Sequence, residues 1–440
     1  MYFESNTPKI TVIDSLMGKG KSTAAIAYIN DNPDKNFVVV LPTRSECLRY
    51  ADALDRDAVV PHTETSTGKK TLLTVFNEAV SQGKSVITTH ALLKRWDDMS
   101  IRELRGKDYT LILDEVLDVV EPFRITSKDY HTLIAGGVVS EEVDTVTGLK
   151  RVILQDGDYL GKHESFIQQV ARGNMVRVRD DFCIWLTGPQ RLLAFDEVII
   201  LTYNFQGSVM AAWLKLNKLS YEMKSVENGQ FSDYKPESGY SFRHLIDIVQ
   251  DSSLNSIGRR HNALSVNDLK KPGSAERKKR LKNNIRKFYD RHGATDPRLN
   301  MWTCPQEFKP KLQKSPFGYI GGRVSQNQLR RMSAEERVMR DTHVAVNMRA
   351  TNLYRHKKYL AYAYNVFPNP ALTKLFHECG IPFDQDQYAL NEFVQWIWRS
   401  RVRVGERMAI YVPSKRMRGL LTNWLNTDNT LELKEVCQAV

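Results

Sequence analysis

The sequence VIDSLMGKGKSTAAIAYI, residues 12–29, decides the fold. It leads from a β-branched run through a turn rich in glycine and lysine into a stretch with helical character. The turn is close to the phosphate-binding motif G-x-x-x-x-G-K-[ST], with Ser15 where the motif has its first glycine. An ordinary turn of this composition is the alternative, but the strand–turn–helix context favours a nucleotide site.

Each part of this turn has a chemical reason to meet a phosphate. Gly18 and Gly20 allow a tight turn that directs backbone amides at an anion. Lys21 supplies positive charge for the β- and γ-phosphates, and the hydroxyl of Ser22 can bind Mg²⁺. The start of the following helix adds the positive end of its dipole. The predicted ATP-binding residues are Gly18, Lys19, Gly20, Lys21, Ser22 and Thr23.

A second candidate element is LILDEVLD, residues 111–118. Asp114 and Glu115 follow an apolar run, as side chains at the end of a buried strand do. One carboxylate there can orient Mg²⁺, and its neighbour can polarise the water that attacks the γ-phosphate. A solvated strand end is the alternative. Beside a phosphate-binding turn, the pair predicts Asp114 and Ser22 as metal ligands and Glu115 as the catalytic base.

Strand-like and helix-like segments alternate through the first half of the chain. This alternation predicts an α/β fold with a parallel sheet flanked by helices, in which ligands bind beyond the carboxyl ends of the strands. Residues 121–183 loosen the pattern and suggest a hairpin or a small irregular insertion. A later strand at 406–414 indicates a second α/β unit. The segments that carry predicted strands in the first half are 9–14, 36–42, 84–96, 109–115 and 196–203.

The net charge of the chain indicates what kind of binding partner to expect. The 440-residue chain has a formal net charge of +12, which favours a polyanion over an inert basic surface. Residues 259–291 hold twelve Lys or Arg against three acidic residues, and a helix is predicted from Ser274 onward. An apolar run of about 18 residues is absent, so no membrane span is expected. Five scattered cysteines indicate neither a zinc site nor disulfides, and a cytoplasmic location is expected.

A third candidate element is NEFVQWIWRSRVRVGERMAIYVPS, residues 391–414. Gln395, Arg399 and Arg403 recur every four residues, so a continuous helix would place them on one face. Arginines there could reach a γ-phosphate and stabilise its transition-state charge. The alternative is a basic amphipathic helix with Trp396 and Trp398 in the core.

Polar residues also follow other predicted strands, in LPTRSECLRY (41–50), ITTHALL (87–93) and LTYNFQGS (201–208). Hydroxyl and guanidinium groups at strand ends suit nucleic-acid phosphates, whereas helix caps are the alternative. The third segment could couple the nucleotide site to a second domain, or form a plain turn. The predicted nucleic-acid-binding residues are Thr43, Arg44, Thr88, Thr89, His90, Lys278, Lys279 and Arg280.

In this order the phosphate loop, LPTR, TTH, LDE, LTYNF and the late Gln/Arg segment resemble a superfamily 2 DNA helicase. The sequence looks most like phage and viral DEAD/DEAH-like helicases and the herpesvirus-type origin-binding helicases, whose loop often reads MGSGK. Residues 347–370 and 388–418 resemble the C-terminal half of phage-encoded members. The resemblance covers the chain in patches, at residues 9–120, 195–208 and 345–418.

The resemblance implies two RecA-like domains with ATP between them and single-stranded nucleic acid across their top. We place the first at residues 1–205, with an insertion at about 121–183, and the second at 206–440, with a basic insertion at about 253–345. Gln395 and Arg399 match the start of the arginine-finger motif, but Val402 stands at its usual second arginine. The Ser-Ala-Thr coupling motif and an upstream adenine-reading glutamine are absent from the sequence.

The expected function is an ATP-dependent DNA helicase or translocase in replication or recombination. Its cofactors would be ATP and Mg²⁺, and its partners single-stranded or branched DNA together with replication or recombination proteins. ATP would draw Arg399 and Arg403 towards the phosphate loop, and hydrolysis would release them. Two alternatives stay open. One is an ATP-switched origin- or recombination-site binding protein without unwinding, and the other is a DNA-packaging motor, which would need a two-metal carboxylate cluster in the C-terminal half.

Overall fold

The computed structural model describes residues 7–62, 70–145, 147–179, 182–312, 326–333, 336–337, 342–346 and 353–427. The strands are β1 (Lys9–Asp14), β2 (Asn36–Leu41), β3 (Val86–Thr89), β4 (Tyr109–Asp114), β5 (Val120–Arg124), β6 (Val139–Val143), β7 (Lys150–Leu154), β8 (Met175–Arg179), β9 (Phe182–Leu186), β10 (Glu197–Thr202), β11 (Glu222–Glu227), β12 (Gln230–Asp233), β13 (Ile246–Ile248), β14 (Asn300–Thr303), β15 (Tyr359–Tyr362) and β16 (Met408–Tyr411).

The helices follow the same chain-order numbering. They are α1 (Lys21–Asn30), α2 (Arg44–Asp52), α3 (Leu72–Ser81), α4 (His90–Leu93), α5 (Asp98–Leu104), α6 (Ser127–Ala135), α7 (Glu164–Ala171), α8 (Val209–Leu216), α9 (Ser252–Asn255), α10 (Val266–Lys270), α11 (Ala275–Arg291), α12 (Lys309–Leu312), α13 (Gln326–Arg331), α14 (Pro370–Glu378), α15 (Gln385–Ile397) and α16 (Lys415–Asn426). In the described part of the chain, no helix is long and apolar enough to cross a membrane.

The chain divides into two compact units. Unit 1 comprises Met1–Lys235 and Pro368–Gln385, and unit 2 comprises Pro236–Phe367 and Asp386–Val440. The boundary predicted at residue 205 therefore lies inside unit 1. The reason is that β11 and β12 follow that residue yet extend the sheet of unit 1, where β11 pairs with β1.

The main sheet of unit 1 has seven strands in the order β12-β11-β1-β10-β4-β2-β3. All neighbouring pairs are parallel except β11 and β12, which are antiparallel. Its central strands are buried on both faces, as their continuous apolar runs require. Val38 and Val40 pack with α3, α5 and α8 on one face, and Val39 and Ile112 pack with α1 and α2 on the other. The predicted alternation of strands and helices is confirmed.

The insertion is larger than a hairpin. Residues 120–186 form a five-stranded sheet in the order β5-β9-β8-β7-β6, antiparallel throughout. Helices α6 and α7 cover one face of it. The sequence reading underestimated this insertion because β6, β7 and β8 are short and interleave charged residues with apolar ones, which weakens the strand signal.

The other face of the insertion sheet is covered by α14. This helix comes from a stretch of chain that is flanked on both sides by unit 2 segments. Ala371, Leu375 and Phe376 of α14 are buried with Val176 and Ile184 of the insertion sheet. Unit 1 is therefore completed by a helix that lies far along the sequence.

Unit 2 is built on a four-stranded parallel sheet in the order β13-β16-β15-β14. Helix α11 buries Leu281, Ile285 and Phe288 in the core beside this sheet, and Ser274 precedes its first residue as the sequence predicted. The strand predicted at 406–414 is β16. Residues 347–352, part of the segment that resembles phage-encoded helicases, lie outside the described residues.

Candidate nucleotide-binding site

Three turns meet at the carboxyl edge of the main sheet in unit 1. They follow β1, β10 and β4, which are adjacent in the sheet, and the parallel register places Asp14 beside Thr202 and Leu201 beside Asp114. Backbone hydrogen bonds join the turns, since the amide of Ser15 donates to Thr202 and that of Glu115 donates to Leu201. Strand register thus brings together motifs that are far apart in sequence.

The loop after β1 has the conformation that the glycines predict. Gly18 and Gly20 have φ angles of 87° and 84°, in the left-handed region that favours glycine. Helix α1 begins at Lys21, whose ammonium donates to the carbonyl oxygens of Ser15 and, at 3.1 Å, of Leu16. Lys19 and Thr23 are exposed. The loop therefore leads directly into the amino end of α1, and the ammonium of Lys21 lies against the loop itself.

Ser15 has a structural role that glycine could not fill. It is completely buried, and its hydroxyl oxygen accepts a hydrogen bond of 2.9 Å from the amide of Val226 in β11. The substitution in the motif therefore ties the loop to the neighbouring strand.

The hydroxyl of Ser22 and the carboxylate of Asp114, predicted to share a metal ion, are in direct contact. Ser22 Oγ donates to Asp114 Oδ2 at 2.7 Å. Burial raises the pKa of Asp114, while the Ser22 hydroxyl and the Lys21 ammonium act to lower it. The Tyr50 hydroxyl, absent from the sequence predictions, lies 3.4 Å from the same carboxylate oxygen.

Glu115 has an unusual backbone. Its φ angle is 76°, in a region that side chains other than glycine rarely adopt and that costs about 1–3 kcal/mol. The hydrogen bond from its amide to Leu201, 2.9 Å long, holds this conformation. Strain of this kind concentrates at functional sites, which agrees with the predicted role of Glu115.

Asp14 is a site residue that the sequence reading treated only as the end of a strand. Its two carboxylate oxygens accept from the amides of Asn204, at 2.7 Å, and Phe205, at 3.0 Å. Asn204 has a φ angle of 52°, and the carboxylate stabilises this turn. An acidic residue at the end of a largely buried strand, directly before a phosphate loop, was the signal available in the sequence.

Comparison with known proteins gives this chain its family. A family model described as the YonV C-terminal Rossmann-like domain matches residues 240–425. The chain is also 30% identical over 429 residues to the SPbeta prophage-derived protein YonV of Bacillus subtilis (strain 168), an alignment that covers 95% of this chain and 98% of that protein. The chain belongs to the YonV family.

Two solved structures are similar to this YonV-family chain in fold. An XPD helicase matches with a TM-score of 0.50 at 10% identity, over 96% of both chains. An apo XPD structure matches with a TM-score of 0.50 at 12% identity, over 96% of this chain and 97% of that one. These similarities show the fold alone, an α/β fold with two RecA-like domains as in the XPD structures. The herpesvirus-type part of the resemblance stays a prediction.

The residues of unit 1 that were predicted to bind nucleic acid differ in how far their side chains are exposed to solvent. Thr43 caps α2, accepting from the amide of Glu46 at 3.3 Å, and Arg44 is exposed. Thr89 caps α4, and a ring nitrogen of His90 lies 3.1 Å from the carbonyl oxygen of Asp114. The expectation for Thr88 is corrected, because it is only 3% exposed within β3 and its hydroxyl is not available to a large ligand.

The Gln/Arg segment of unit 2 does not form one helical face. Helix α15 ends at Ile397, so it carries Gln395 but neither arginine. The next residues tighten into three-residue turns, with the amide of Arg399 bonded to Trp396, and Arg403 lies in a 3-10 helix at Arg401–Val404. Arg399 is only 7% exposed, whereas Arg403 is exposed. The prediction of one shared face is therefore wrong, because spacing by four has this meaning only while the α-helix continues.

The lysine and arginine side chains of the basic helix α11 differ in their exposure to solvent. Lys279 and Arg280 are exposed, while the ammonium of Lys278 lies 4.9 Å from the ring centroid of Phe308. Two other cations of the segment, Arg260 and Arg277, both pair with the buried carboxylate of Asp268, which offsets one of their two charges. Fewer free charges face solvent than the composition suggests.

Proposed function

We propose that this chain is a nucleic-acid-dependent ATPase that uses ATP hydrolysis to move along or unwind DNA, in replication or recombination. The observation that carries the proposal is the 2.7 Å contact between Ser22 Oγ and Asp114 Oδ2. These residues come from the two motifs that the sequence assigned to phosphate and metal. Their meeting at the edge of a parallel sheet supports one nucleotide site.

The residues present fit Mg²⁺. A serine hydroxyl and a carboxylate are hard oxygen donors, and Mg²⁺ is commonly held by one or two such groups together with substrate phosphates and water. When bound, the ion would neutralise charge on the β- and γ-phosphates. Lys21 and the amides of the glycine turn would bind those phosphates, and Asp114 would orient the ion. The raised pKa of Asp114 makes this arrangement weaken in acid, when the carboxyl becomes protonated.

Glu115 is the proposed base. It lies next to Asp114, and its left-handed backbone turns the chain sharply after β4. Its carboxylate would accept a proton from the water that attacks the γ-phosphate, a role that needs reach to one water and an ionised acid at neutral pH. The hydrogen bond that its amide donates to the carbonyl oxygen of Leu201 in β10 fixes the turn.

Nucleic acid is proposed to bind at the amino end of α2, next to Thr43 and Arg44, and along the exposed cations of α11. Arg44 is a fixed positive charge at a helix start, where backbone amides also favour phosphate. Lys279 and Arg280 are exposed on α11, and the chain as a whole is strongly basic. Binding carried by such contacts releases counterions and weakens as salt rises.

A second candidate function is an ATP-switched DNA-binding protein without unwinding. The end of α15 at Ile397 favours it, because Arg399 is buried and Arg403 belongs to a separate 3-10 helix. A packaging motor has less support, since no group of three or more metal-binding side chains occurs among the described residues.

The test is ATPase activity with and without single-stranded DNA, together with strand displacement on forked duplexes. In the wild-type chain we expect DNA to stimulate ATP turnover. Lys21→Ala should lower turnover by at least about 100-fold, because it removes a charge that stabilises the transferring phosphoryl group. Lys84→Ala is the control for loss of a lysine charge, because Lys84 is exposed and lies just before β3, at the end of the strands opposite the proposed site.

The outcomes separate the candidates. Stimulated turnover with strand displacement supports the helicase, and stimulated turnover without it supports the switch. Wild-type turnover in Lys21→Ala, with an unchanged melting temperature, would remove the phosphate loop from the mechanism.

A further inference from the structure

Tyr50 places a buried hydroxyl at the carboxylate that is proposed to orient the metal. The residue is completely buried on α2. Its hydroxyl donates to Asp114 Oδ2 across 3.4 Å, and the same oxygen accepts from Ser22 Oγ at 2.7 Å. Both donors approach the same oxygen, Oδ2. The two hydroxyl groups together therefore orient the carboxyl group.

The same helix starts at the proposed nucleic-acid contact. Thr43 caps α2 and Arg44 is its first residue. Tyr50 lies seven residues after Thr43, about 10 Å along a helix that rises 1.5 Å per residue. Because an α-helix moves as a stiff unit, a displacement at its amino end is carried to the tyrosine.

An ion pair on α2 packs against the ring of Tyr50. Arg49 donates twice to Glu46, at 2.9 and 2.7 Å, and its guanidinium lies 5.4 Å from the ring centroid of Tyr50. The tyrosine therefore has contacts on its own helix as well as with Asp114.

We propose that Tyr50 is a positioning residue that links nucleic-acid binding at the amino end of α2 to the orientation of the metal-binding carboxylate Asp114. This inference rests on the proposed ATPase function. It assigns the DNA stimulation of that activity to a rigid path within unit 1, from Arg44 through α2 to the tyrosine hydroxyl.

The test uses Tyr50→Phe in the full chain, which removes the hydroxyl and keeps the ring in the core. A positioning group around a metal typically changes metal affinity by about 10–100-fold. We therefore expect the Mg²⁺ concentration that gives half of the ADP-induced rise in melting temperature to increase about tenfold. We also expect the stimulation of ATP turnover by single-stranded DNA to fall several-fold.

Tyr28→Phe is the matched control. Tyr28 lies on α1, and its hydroxyl donates to the carboxylate of Glu197 at 3.0 Å, at the opposite end of the strands. This variant also loses a tyrosine–carboxylate bond in unit 1, but it should keep the wild-type Mg²⁺ dependence and DNA stimulation.

Tyr50→Phe could show the same Mg²⁺ dependence and DNA stimulation as the wild-type chain while Lys21→Ala is inactive. That result would overturn the role of Tyr50 and leave the proposed ATPase function intact. Equal changes in Tyr28→Phe would also overturn it, since the effect would then be general destabilisation. Absence of ATP turnover from the wild-type chain overturns the proposed function itself, and the role of Tyr50 with it.

Discussion

Separation along the sequence relates to position in space differently at the carboxyl edge of the unit 1 sheet and in the Gln/Arg segment of unit 2. At the sheet edge, Ser22 and Asp114 are 92 positions apart and yet in hydrogen-bond contact. In the Gln/Arg segment, Arg399 and Arg403 are four positions apart, and one is buried while the other is exposed. Strand register is a long-range constraint, whereas helical spacing holds only as far as the helix extends.

The largest effect is expected from Glu115→Gln, which tests the sheet edge. It keeps the shape of the side chain and removes the proposed base, so turnover should fall by about 100-fold or more. Binding of a fluorescent ATP analogue should remain at wild-type affinity. A decrease of less than about tenfold would show that another group accepts the proton.

The next effect compares the two arginines directly. Arg399→Ala removes a side chain that is only 7% exposed and should destabilise unit 2 by about 1–2 kcal/mol through lost packing, seen as a lower melting temperature. Arg403→Ala should leave the melting temperature unchanged. If Arg403 acts on the γ-phosphate, its loss lowers DNA-stimulated turnover by at least about tenfold.

Arg407→Ala is the control for this comparison, since Arg407 is exposed and lies just before β16. It should change neither the melting temperature nor turnover. Equal loss of turnover in Arg403→Ala and Arg407→Ala would mean that general charge, and not one arginine, matters there.

The smallest effect is on stability at the sheet edge. Because burial raises the pKa of Asp114, ionising this carboxyl group costs more in the folded chain than in the unfolded chain. Asp114→Asn removes that cost and should raise the melting temperature slightly at pH 7. The gain should shrink as pH falls through the folded pKa, since the wild-type carboxyl is then neutral too. The check is the melting temperature of the wild-type chain and of Asp114→Asn across this pH range. A difference between the two that stays constant with pH would show that the ionisation of Asp114 is not its cause.

Much of unit 1 was predictable because its central strands are apolar runs bounded by charged or turn residues. Residues 9–14 and 109–114 are strands with the predicted limits or nearly so, and the parallel register then places Asp114 at the phosphate loop. Tyr50 and Asp14 were not predicted as site residues, because their roles depend on which side of a helix or turn meets a neighbouring strand.

Other features were out of reach for physical reasons. The end of α15 at Ile397 depends on a tightening of backbone hydrogen bonds that the tryptophan-rich stretch does not signal. The five strands of the insertion are short, and four of them, β5 to β8, include charged residues. The residue 205 boundary failed because β11 joins the sheet next to β1, a pairing between distant segments.

The crossing of α14 into unit 1 has a practical consequence for dissecting the protein. The family match at residues 240–425 includes Pro368–Gln385, which belongs to unit 1. A fragment cut at those limits would retain Leu375 and Phe376 without the sheet strands that bury them. We expect such a fragment to self-associate, and an N-terminal fragment ending at Lys235 would expose the matching apolar surface. Producing the two fragments together would let α14 pack on its sheet again.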